Sequence, residues 1–330
     1  EKINKKDFFM LPVQTARGCT FKCTFCSETR LYRYKSAEKI QDDIDKLYKQ
    51  YGYKDFWFVD SLMNGSMKQF KQVIHLLDDL PYDIKWGGYG RTSKKMTKDL
   101  MKTAKSSGMN WLEVGVESGV PKILGLMEKG QTPDVIKDVL KNSYNNGIGF
   151  SANWIPAFAR ENSMDFLQNL MFLYECRNYF DKKSLTDGEN LRFVSRINMM
   201  MPIEVHKGTP MDVNKSHYSI SDDKFLDDWV SNDYKNNILN RNIRGHLTHL
   251  MLDVLDVQNT TMQDIDNNIE LNKMVFDGSE KDITNIDYNT SYLKFANKQK
   301  ESNSVEDTKR NIINSIVDDI KVWIWALHKI

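Results

Sequence analysis

Residues 8–26 read Phe8-Phe9-Met10-Leu11-Pro12-Val13-Gln14-Thr15-Ala16-Arg17-Gly18-Cys19-Thr20-Phe21-Lys22-Cys23-Thr24-Phe25-Cys26. The apolar run Phe8 to Thr15 predicts a strand that delivers the chain directly into a cysteine loop. Its C-x3-C-x2-C spacing folds the backbone around a common centre, so Cys19, Cys23 and Cys26 can aim three thiolates at one metal group. Three ligands leave one coordination position open. On a cubane 4Fe-4S cluster the open iron could chelate a small molecule, which would make the site reactive and not only an electron store. Zinc is the other reading, but a zinc site closes with a fourth Cys or His. The nearest His is His75, beyond one helical pattern and one strand pattern.

The rest of the chain bounds what such a loop can serve. A length of 330 residues with 40% apolar content suits a large globular core, as one barrel-type domain with an appendage or two ordinary domains. Lys plus Arg number 46 against 45 Asp plus Glu, a net charge of +1, so no overall field attracts nucleic acid or an anionic membrane. No apolar run approaches ~18 residues and no charged-then-apolar leader opens the chain, so neither a membrane span nor a signal peptide is expected. With four cysteines, three of them clustered, a disulfide framework is not expected, and the expected location is the reducing cytoplasm. Cys176 stands alone in an amphipathic pattern and reads as a buried structural thiol. The first residue is Glu1, not Met, and strand-like sequence follows at once, from which a segment removed upstream is expected.

To about position 210, short apolar runs alternate with amphipathic helical patterns, the signature of βα units on a parallel sheet. Ser36 can cap a helix with Ile40, Ile44, Leu47, Tyr48 and Tyr51 on one face and Gly52 as its stop. Asp55 to Val59 is the second strand pattern, followed by a helix carrying Met67, Phe70, Ile74 and Leu77. The third, Ile84 to Tyr89, leads through Arg91 and the expected cap Ser93 into a helix ending at Gly108. Trp111 to Val116 is the fourth, and Thr132-Pro133 then offers an N-cap with proline at the first helical position. Ile148 to Ile155 is the fifth, with a helix opening at Ser163, and Leu191 to Met201 is the sixth. Six such repeats fall short of the eight of a closed barrel, so the fold expected is an α/β partial (β/α)6 TIM-like barrel over 1–210. A mainly helical C-terminal extension is expected over 211–330, on the patterns Ile238 to Val257 and Ile312 to Leu327. His246 and His249 stand at i and i+3 there without carboxylate support, and are not taken as metal ligands.

The cysteine loop, with aromatic Phe25 directly before its third cysteine, resembles the signature of the radical S-adenosylmethionine (radical SAM) enzymes. Gly115-Val116-Glu117-Ser118-Gly119, followed by Leu124, Met127, Lys129 and Gly130, is similar to the pattern shared by the cobalamin-binding branch and the methylthiotransferases. Lys207-Gly208-Thr209-Pro210 resembles the Pro-Gly-Thr-Pro run of the same group. In Ala157-Phe158-Ala159-Arg160-Glu161-Asn162, Phe158 and Glu161 keep the places they hold in Gly-Phe-Pro-Gly-Glu-Thr, while both glycines and the proline are lost. The resemblance covers roughly two-thirds of the chain and fades after about 211.

This resemblance implies a 4Fe-4S cluster held by Cys19, Cys23 and Cys26, with S-adenosylmethionine bound at the open iron and reductively cleaved to a 5'-deoxyadenosyl radical. It implies that Phe25 contacts adenine, that Asp60 in the place of a Gly-Gly-Glu motif holds the methionine ammonium, and that Arg91 reaches the cofactor carboxylate. Glu117 and Ser118 are implied near the ribose and methionine. Each residue also has a plain structural reading: Phe25 as core, Asp60 as the cap of a turn, Arg91 as a solvated cation, Glu117 as a salt-bridge partner. Hydrogen abstraction or methyl transfer on a small-molecule or peptide substrate is implied, with a flavodoxin- or ferredoxin-type electron donor and no membrane partner. The Asp-x-His-x-x-Gly motif of a cobalamin domain is absent from this sequence, so either that domain lies upstream of Glu1 or the chain acts without cobalamin. A non-catalytic iron–sulfur or zinc module and an RNA-modifying, methylthiotransferase-like enzyme are the alternatives; the neutral net charge does not advertise a nucleic-acid surface.

Overall fold

The structure is a computed structural model that describes residues 10–177, 203–225, 228–257 and 305–329. Contacts divide the chain into two compact units, the first comprising residues 1–154 and 176–200 and the second residues 155–175 and 201–330.

In the first unit the chain opens with β1 (Leu11–Val13), the short β2 (Ala16–Arg17) and β3 (Arg33–Tyr34), then α1 (Ala37–Tyr51) and β4 (Asp55–Phe58). Helix α2 (Met67–Asp78), β5 (Lys85–Gly90), α3 (Lys98–Ser106) and β6 (Met109–Glu117) follow, then α4 (Pro121–Leu126), α5 (Pro133–Asn145) and β7 (Gly149–Trp154). Strands β1, β4, β5, β6 and β7 form one sheet in that order, and every pairing in it is parallel. This is the expected βα progression through five strands; the sixth expected strand, Leu191 to Met201, lies outside the described residues. Pro12 sits in β1, which has a neighbour only on its β4 side among the described residues, where a missing N–H costs no ladder bond.

Local chemistry accounts for the element ends. The Ser36 side chain accepts from Lys39 N to cap α1, and Gly52 ends that helix in the left-handed region with its N–H bonded to Tyr48 O. Thr132 caps α5 by accepting from Val135 N, with Pro133 in the first turn. Helix α3 corrects the sequence expectation. Its cap is Thr97, which accepts from Leu100 N, while Ser93 shapes the preceding turn by accepting from Lys95 N. Apolar faces close on the sheet as the 3.6-residue period requires: Ile40 and Ile44 from α1, and Phe70, Val73, Ile74 and Leu77 from α2, are buried. Phe58 of β4 stacks on Trp86 of β5 at 4.9 Å between centroids, and Phe70 meets Trp86 edge-on at 6.3 Å.

The second unit holds most of α6 (Ser163–Arg177), then α7 (Pro210–Val213), an antiparallel hairpin of β8 (Ile220–Phe225) and β9 (Asp228–Ser231), α8 (Ile238–Val257) and α9 (Val305–Lys329). Both helices expected in the extension are present, and the hairpin is an addition to its expected helical character. Two arginines one helical turn apart on α8 organise its interior. Arg244 donates from Nε and Nη2 to the two carboxylate oxygens of Asp319 at 2.9 and 3.0 Å, and from Nη1 to Glu161 Oε1 at 3.3 Å. Arg241 donates to Asp228 Oδ2 at 2.9 Å and lies 3.8 Å from the centroid of the Trp229 ring. Both guanidiniums are fully buried, so their cost is met by paired charge, hydrogen bonds and aromatic contact. A cavity of about 700 Å³ in this unit, with Asn232, Lys235 and Asn314 among its lining residues, contains none of the cysteine-loop residues.

Candidate active site at the cysteine loop

The loop that carries the three cysteines is closed at its neck. Cys19 N donates to Arg30 O at 3.4 Å, and β2 pairs antiparallel with β3 across the closure. Gly18 makes this possible. Its φ is +74°, and a Cβ there would come within 2.4 Å of Arg30 O and 2.7 Å of Leu31 O. The middle of the loop is tied to the end of α4, since Thr24 donates from its N to Met127 O at 3.1 Å and from its hydroxyl to Leu126 O at 2.9 Å.

All three thiols are free, Cys19 and Cys23 half-buried and Cys26 exposed. Backbone N–H groups are turned toward the sulfurs: Phe21 N lies 3.4 Å from Cys19 Sγ and Glu28 N 3.4 Å from Cys26 Sγ, within the range of a weak sulfur hydrogen bond. Burial pushes the Cys19 thiol up, opposed by the Phe21 N–H and by the Arg91 charge. Among the described residues no group of three or more Cys, His, Asp or Glu side chains is gathered as the cage of a single ion. The thiolates of a cubane each bind a different iron and stand farther apart than the ligands of one ion, so this arrangement does not conflict with a cluster.

Arg91, one residue past β5, reaches the loop. Its Nη1 lies 3.9 Å from Cys23 Sγ, and its guanidinium carbon is 3.6 Å from the centroid of the Phe21 ring. Burial lowers its pKa, while the Cys23, Cys19 and Glu117 charges raise it. Its Nη2 is buried and has no hydrogen-bond partner among the described residues. The hydroxyl of Thr92 and both side-chain polar atoms of Gln131 are likewise buried and unpartnered, and a Cβ on Gly130, the neighbour of Gln131, would lie 3.5 Å from Arg91 Nη2. Buried polar groups without partners are uncommon and mark places where a ligand or water completes the bonding.

At the end of β6, Glu117 takes a φ of +63° and the ladder to β7 slips between Gly115 and Glu117. That strained turn is confirmed by Ser118 N donating to Val116 O at 2.8 Å. Glu117 Oε1 accepts from Lys129 Nζ at 3.4 Å. Gly115 leaves room for the fold-back, since a Cβ there would lie 2.4 Å from Glu117 Oε1. Burial pushes the Glu117 carboxyl up, and the Lys129 and Arg91 charges pull it down. Ser118 is fully buried, and its hydroxyl accepts from Val120 N at 3.1 Å, opening α4. Phe25 is half-buried within the loop.

Asp60 is buried at the end of β4 and is committed to the backbone of its neighbour. Its Oδ1 accepts from Thr15 N and Ala16 N, both at 2.8 Å, and its Oδ2 from the Thr15 hydroxyl. It therefore fixes the exit of β1 toward the cysteine loop, while burial pushes its carboxyl up against these bonds. The structure thus gathers Cys19, Cys23, Arg91 and Glu117 into one electrostatic neighbourhood. It adds Phe21, Lys129, Thr92 and Gln131, which the sequence reading did not single out as site residues; Lys129 was visible there as part of the strand-four pattern. Three free thiols, a guanidinium with a spare buried nitrogen and unpartnered amide and hydroxyl groups fit a thiolate-held cluster with an adjoining ligand that carries an anionic group and many hydrogen-bonding atoms.

Comparison with known proteins agrees with this geometry. Residues 13–173 match the profile of the Radical SAM superfamily. Over 153 residues the chain is 28% identical to an uncharacterized methyltransferase of Pyrococcus horikoshii, covering 45% of this chain and 33% of that protein. Over 172 residues it is 28% identical to the anaerobic magnesium-protoporphyrin IX monomethyl ester cyclase of Cereibacter sphaeroides, covering 48% of this chain and 28% of that protein. The solved structure of the cobalamin-dependent S-adenosylmethionine radical enzyme OxsB, with aqua-cobalamin and S-adenosylmethionine bound, shares the fold at a TM-score of 0.52 and 19% identity, over 97% of this chain and 54% of that one. The chain spans about a third of the length of these curated relatives. No helix among the described residues is long and apolar enough to cross a membrane.

Proposed function

On the premise that this chain carries a radical SAM domain, we propose that it is the catalytic core of a radical SAM enzyme acting by hydrogen abstraction or methyl transfer at an unreactive carbon. Cys19, Cys23 and Cys26 would hold a 4Fe-4S cluster, and Phe25, Arg91, Glu117 and Ser118 would line the place of S-adenosylmethionine. Cluster and cofactor together supply a 5'-deoxyadenosyl radical when bound. The chain's own residues set the conditions for that chemistry. Arg91 offers a buried positive charge and a free N–H to a carboxylate, and Glu117 offers acceptor oxygens to paired hydroxyls, held in place by Lys129. Asp60 keeps the thiol loop at the sheet's edge.

The observation that carries this reading is Arg91. A guanidinium that approaches a loop thiol while leaving a buried nitrogen unpartnered is costly unless an anionic ligand completes it. Methyl transfer is favoured over other radical outcomes by the methyltransferase among the relatives, and cobalamin would then be supplied by sequence outside these residues. A silent zinc or iron–sulfur module would leave the buried polar groups beside the loop without purpose. Anaerobic reconstitution tests the proposal. We expect ~4 iron and ~4 sulfide per chain with cluster absorbance, lost in Cys19→Ala, Cys23→Ala and Cys26→Ala. A single tightly bound zinc, or absorbance indifferent to those substitutions, would contradict it.

A further inference from the structure

The exit of β5 and the turn between α4 and α5 bury polar groups whose bonding is incomplete. Arg91 Nη2, the Thr92 hydroxyl and both side-chain polar atoms of Gln131 have no hydrogen-bond partner among the described residues, although the three residues are only 8%, 5% and 7% exposed. A buried donor or acceptor left unmade costs free energy, so neighbouring groups in this state point to a ligand that completes them. The turn is shaped to bring Gln131 to Arg91. Glu128 and Gly130 take φ of +51° and +58°, and a Cβ on Gly130 would stand 3.5 Å from Arg91 Nη2. Thr24 of the thiol loop is bonded to Leu126 O and Met127 O, immediately before that turn.

Asp60, in the place where the resemblance puts the ligand of the methionine ammonium, is engaged elsewhere. Its Oδ1 accepts from Thr15 N and Ala16 N, its Oδ2 accepts from the Thr15 hydroxyl, and the residue is 2% exposed. Glu117 is already balanced by Lys129. The amino-acid end of S-adenosylmethionine carries a carboxylate, which only accepts, and an ammonium, which only donates. Arg91 answers the first alone. A primary amide answers both, since Nε2 donates and Oε1 accepts, and in Gln131 neither atom is committed. The edge of adenine also offers an amide one donor and one acceptor. The Arg91 guanidinium beside Gly130 calls for an anion, however, and adenine has none.

We propose that Gln131, assisted by Thr92, holds the amino-acid end of S-adenosylmethionine in the role that Asp60 does not fill. Gln131 Nε2 joins Arg91 Nη2 in donating to the carboxylate, and Gln131 Oε1 and the Thr92 hydroxyl accept from the ammonium. This rests on the reading of Cys19, Cys23 and Cys26 as holders of a cluster that binds S-adenosylmethionine.

The test is calorimetric binding to the reconstituted full chain without reductant, a readout independent of turnover. Three probes are used: S-adenosylmethionine, its decarboxylated form, which keeps the amine, and 5'-methylthioadenosine, which lacks the amino-acid end. Gln131→Leu is expected to weaken S-adenosylmethionine roughly tenfold or more and to leave 5'-methylthioadenosine unchanged. Thr92→Val should cost about threefold with the same selectivity. Gln131→Glu keeps an acceptor for the ammonium and sets a charge against the carboxylate, so it should weaken S-adenosylmethionine while sparing the decarboxylated form. Without ligand, Gln131→Leu should melt at an equal or higher temperature than the wild type, because an unpartnered buried amide is replaced by an apolar group of similar size. If Gln131→Leu does not fold, Gln131→Met decides on the same comparison, and failure of both to fold would give the amide a structural task and overturn the proposal. Unchanged affinity for S-adenosylmethionine would mean that water completes the amide, and an equal loss for 5'-methylthioadenosine that it reads the nucleoside; either result overturns the proposal. A wild-type protein that loads its cluster and binds none of the three probes would instead sink the reading on which the proposal rests.

Discussion

Asn64 grips the backbone of Arg91 from both sides: its Oδ1 accepts from Arg91 N at 3.0 Å, and its Nδ2 donates to Arg91 O at 2.8 Å. One side chain thus replaces a ladder for the residue that leaves β5 toward the thiols. Asn64→Ala strips two buried backbone groups of their partner, with an expected loss of about 1–3 kcal/mol. A urea titration of the variant reads this as an earlier midpoint. An unchanged midpoint would mean that Arg91 is held by its side chain alone.

Arg91→Gln removes a positive charge and the donor nearest Cys23. A thiolate-bound cluster accepts an electron less readily when a nearby cation is lost, so its reduction potential should move downward. A shift of roughly 60 mV corresponds to ~1.4 kcal/mol for one electron. An EPR-monitored redox titration gives the value, and Arg91→Lys should recover part of the shift because it restores charge without the planar fork. No shift in the Gln variant would separate Arg91 from the cluster's electrostatics.

Gly18→Ala tests the neck of the loop. The substituted Cβ would be driven into the Arg30 and Leu31 carbonyls at a positive φ. A destabilisation of at least ~1 kcal/mol is expected, together with weaker iron retention during gel filtration. Native stability and iron content in this variant would show that the loop does not need its present closure.

The second unit has its own pH signature. Burial pushes Glu161 up to about 7, because the single charge of Arg244 is shared with Asp319 and the Asp165 and Asp319 charges oppose ionisation of Glu161. A carboxyl whose folded pKa lies above its unfolded value of ~4.3 takes up a proton on folding. The contribution of Glu161 to stability is therefore fully present below ~4.3, declines by up to about 4 kcal/mol as pH rises to about 7, and is level beyond that. Glu161→Gln should flatten the dependence of the urea midpoint between pH 5 and pH 8. A variant whose midpoint follows the wild-type curve would place the titration elsewhere.

Much of the parallel sheet was legible because its signals are local. Alternation of apolar runs with helical faces located β4 to β7, and Ser36, Gly52 and Thr132-Pro133 announced helix ends by chemistry that needs only a few neighbouring residues. Ser93 misled because serine favours turns as well as caps, and only the structure shows Thr97 taking the helix. The hairpin β8–β9 was hidden by the polar run Ser221-Asp222-Asp223-Lys224, which breaks strand alternation. At the site, the spacing of the cysteines made a closed thiol loop legible, and the structure closes it at Gly18 and Arg30. Contacts across the fold did not show: the pairing of Asn64 with Arg91, separated by 27 positions, and the engagement of Asp60 with Thr15, separated by 45, have no signature in either segment alone. The burial of Arg241 and Arg244 was equally invisible, since a charged residue on a helix reads as a solvated face until its partners are known.

Cleavage of S-adenosylmethionine tests the proposed role of the thiol loop most directly. Reconstituted protein, reduced by dithionite under strict anaerobiosis and incubated with S-adenosylmethionine, should release 5'-deoxyadenosine and methionine, detected by mass spectrometry, while Cys23→Ala should release neither. A protein that holds its full complement of reducible cluster and yet leaves S-adenosylmethionine intact would contradict the proposed radical chemistry.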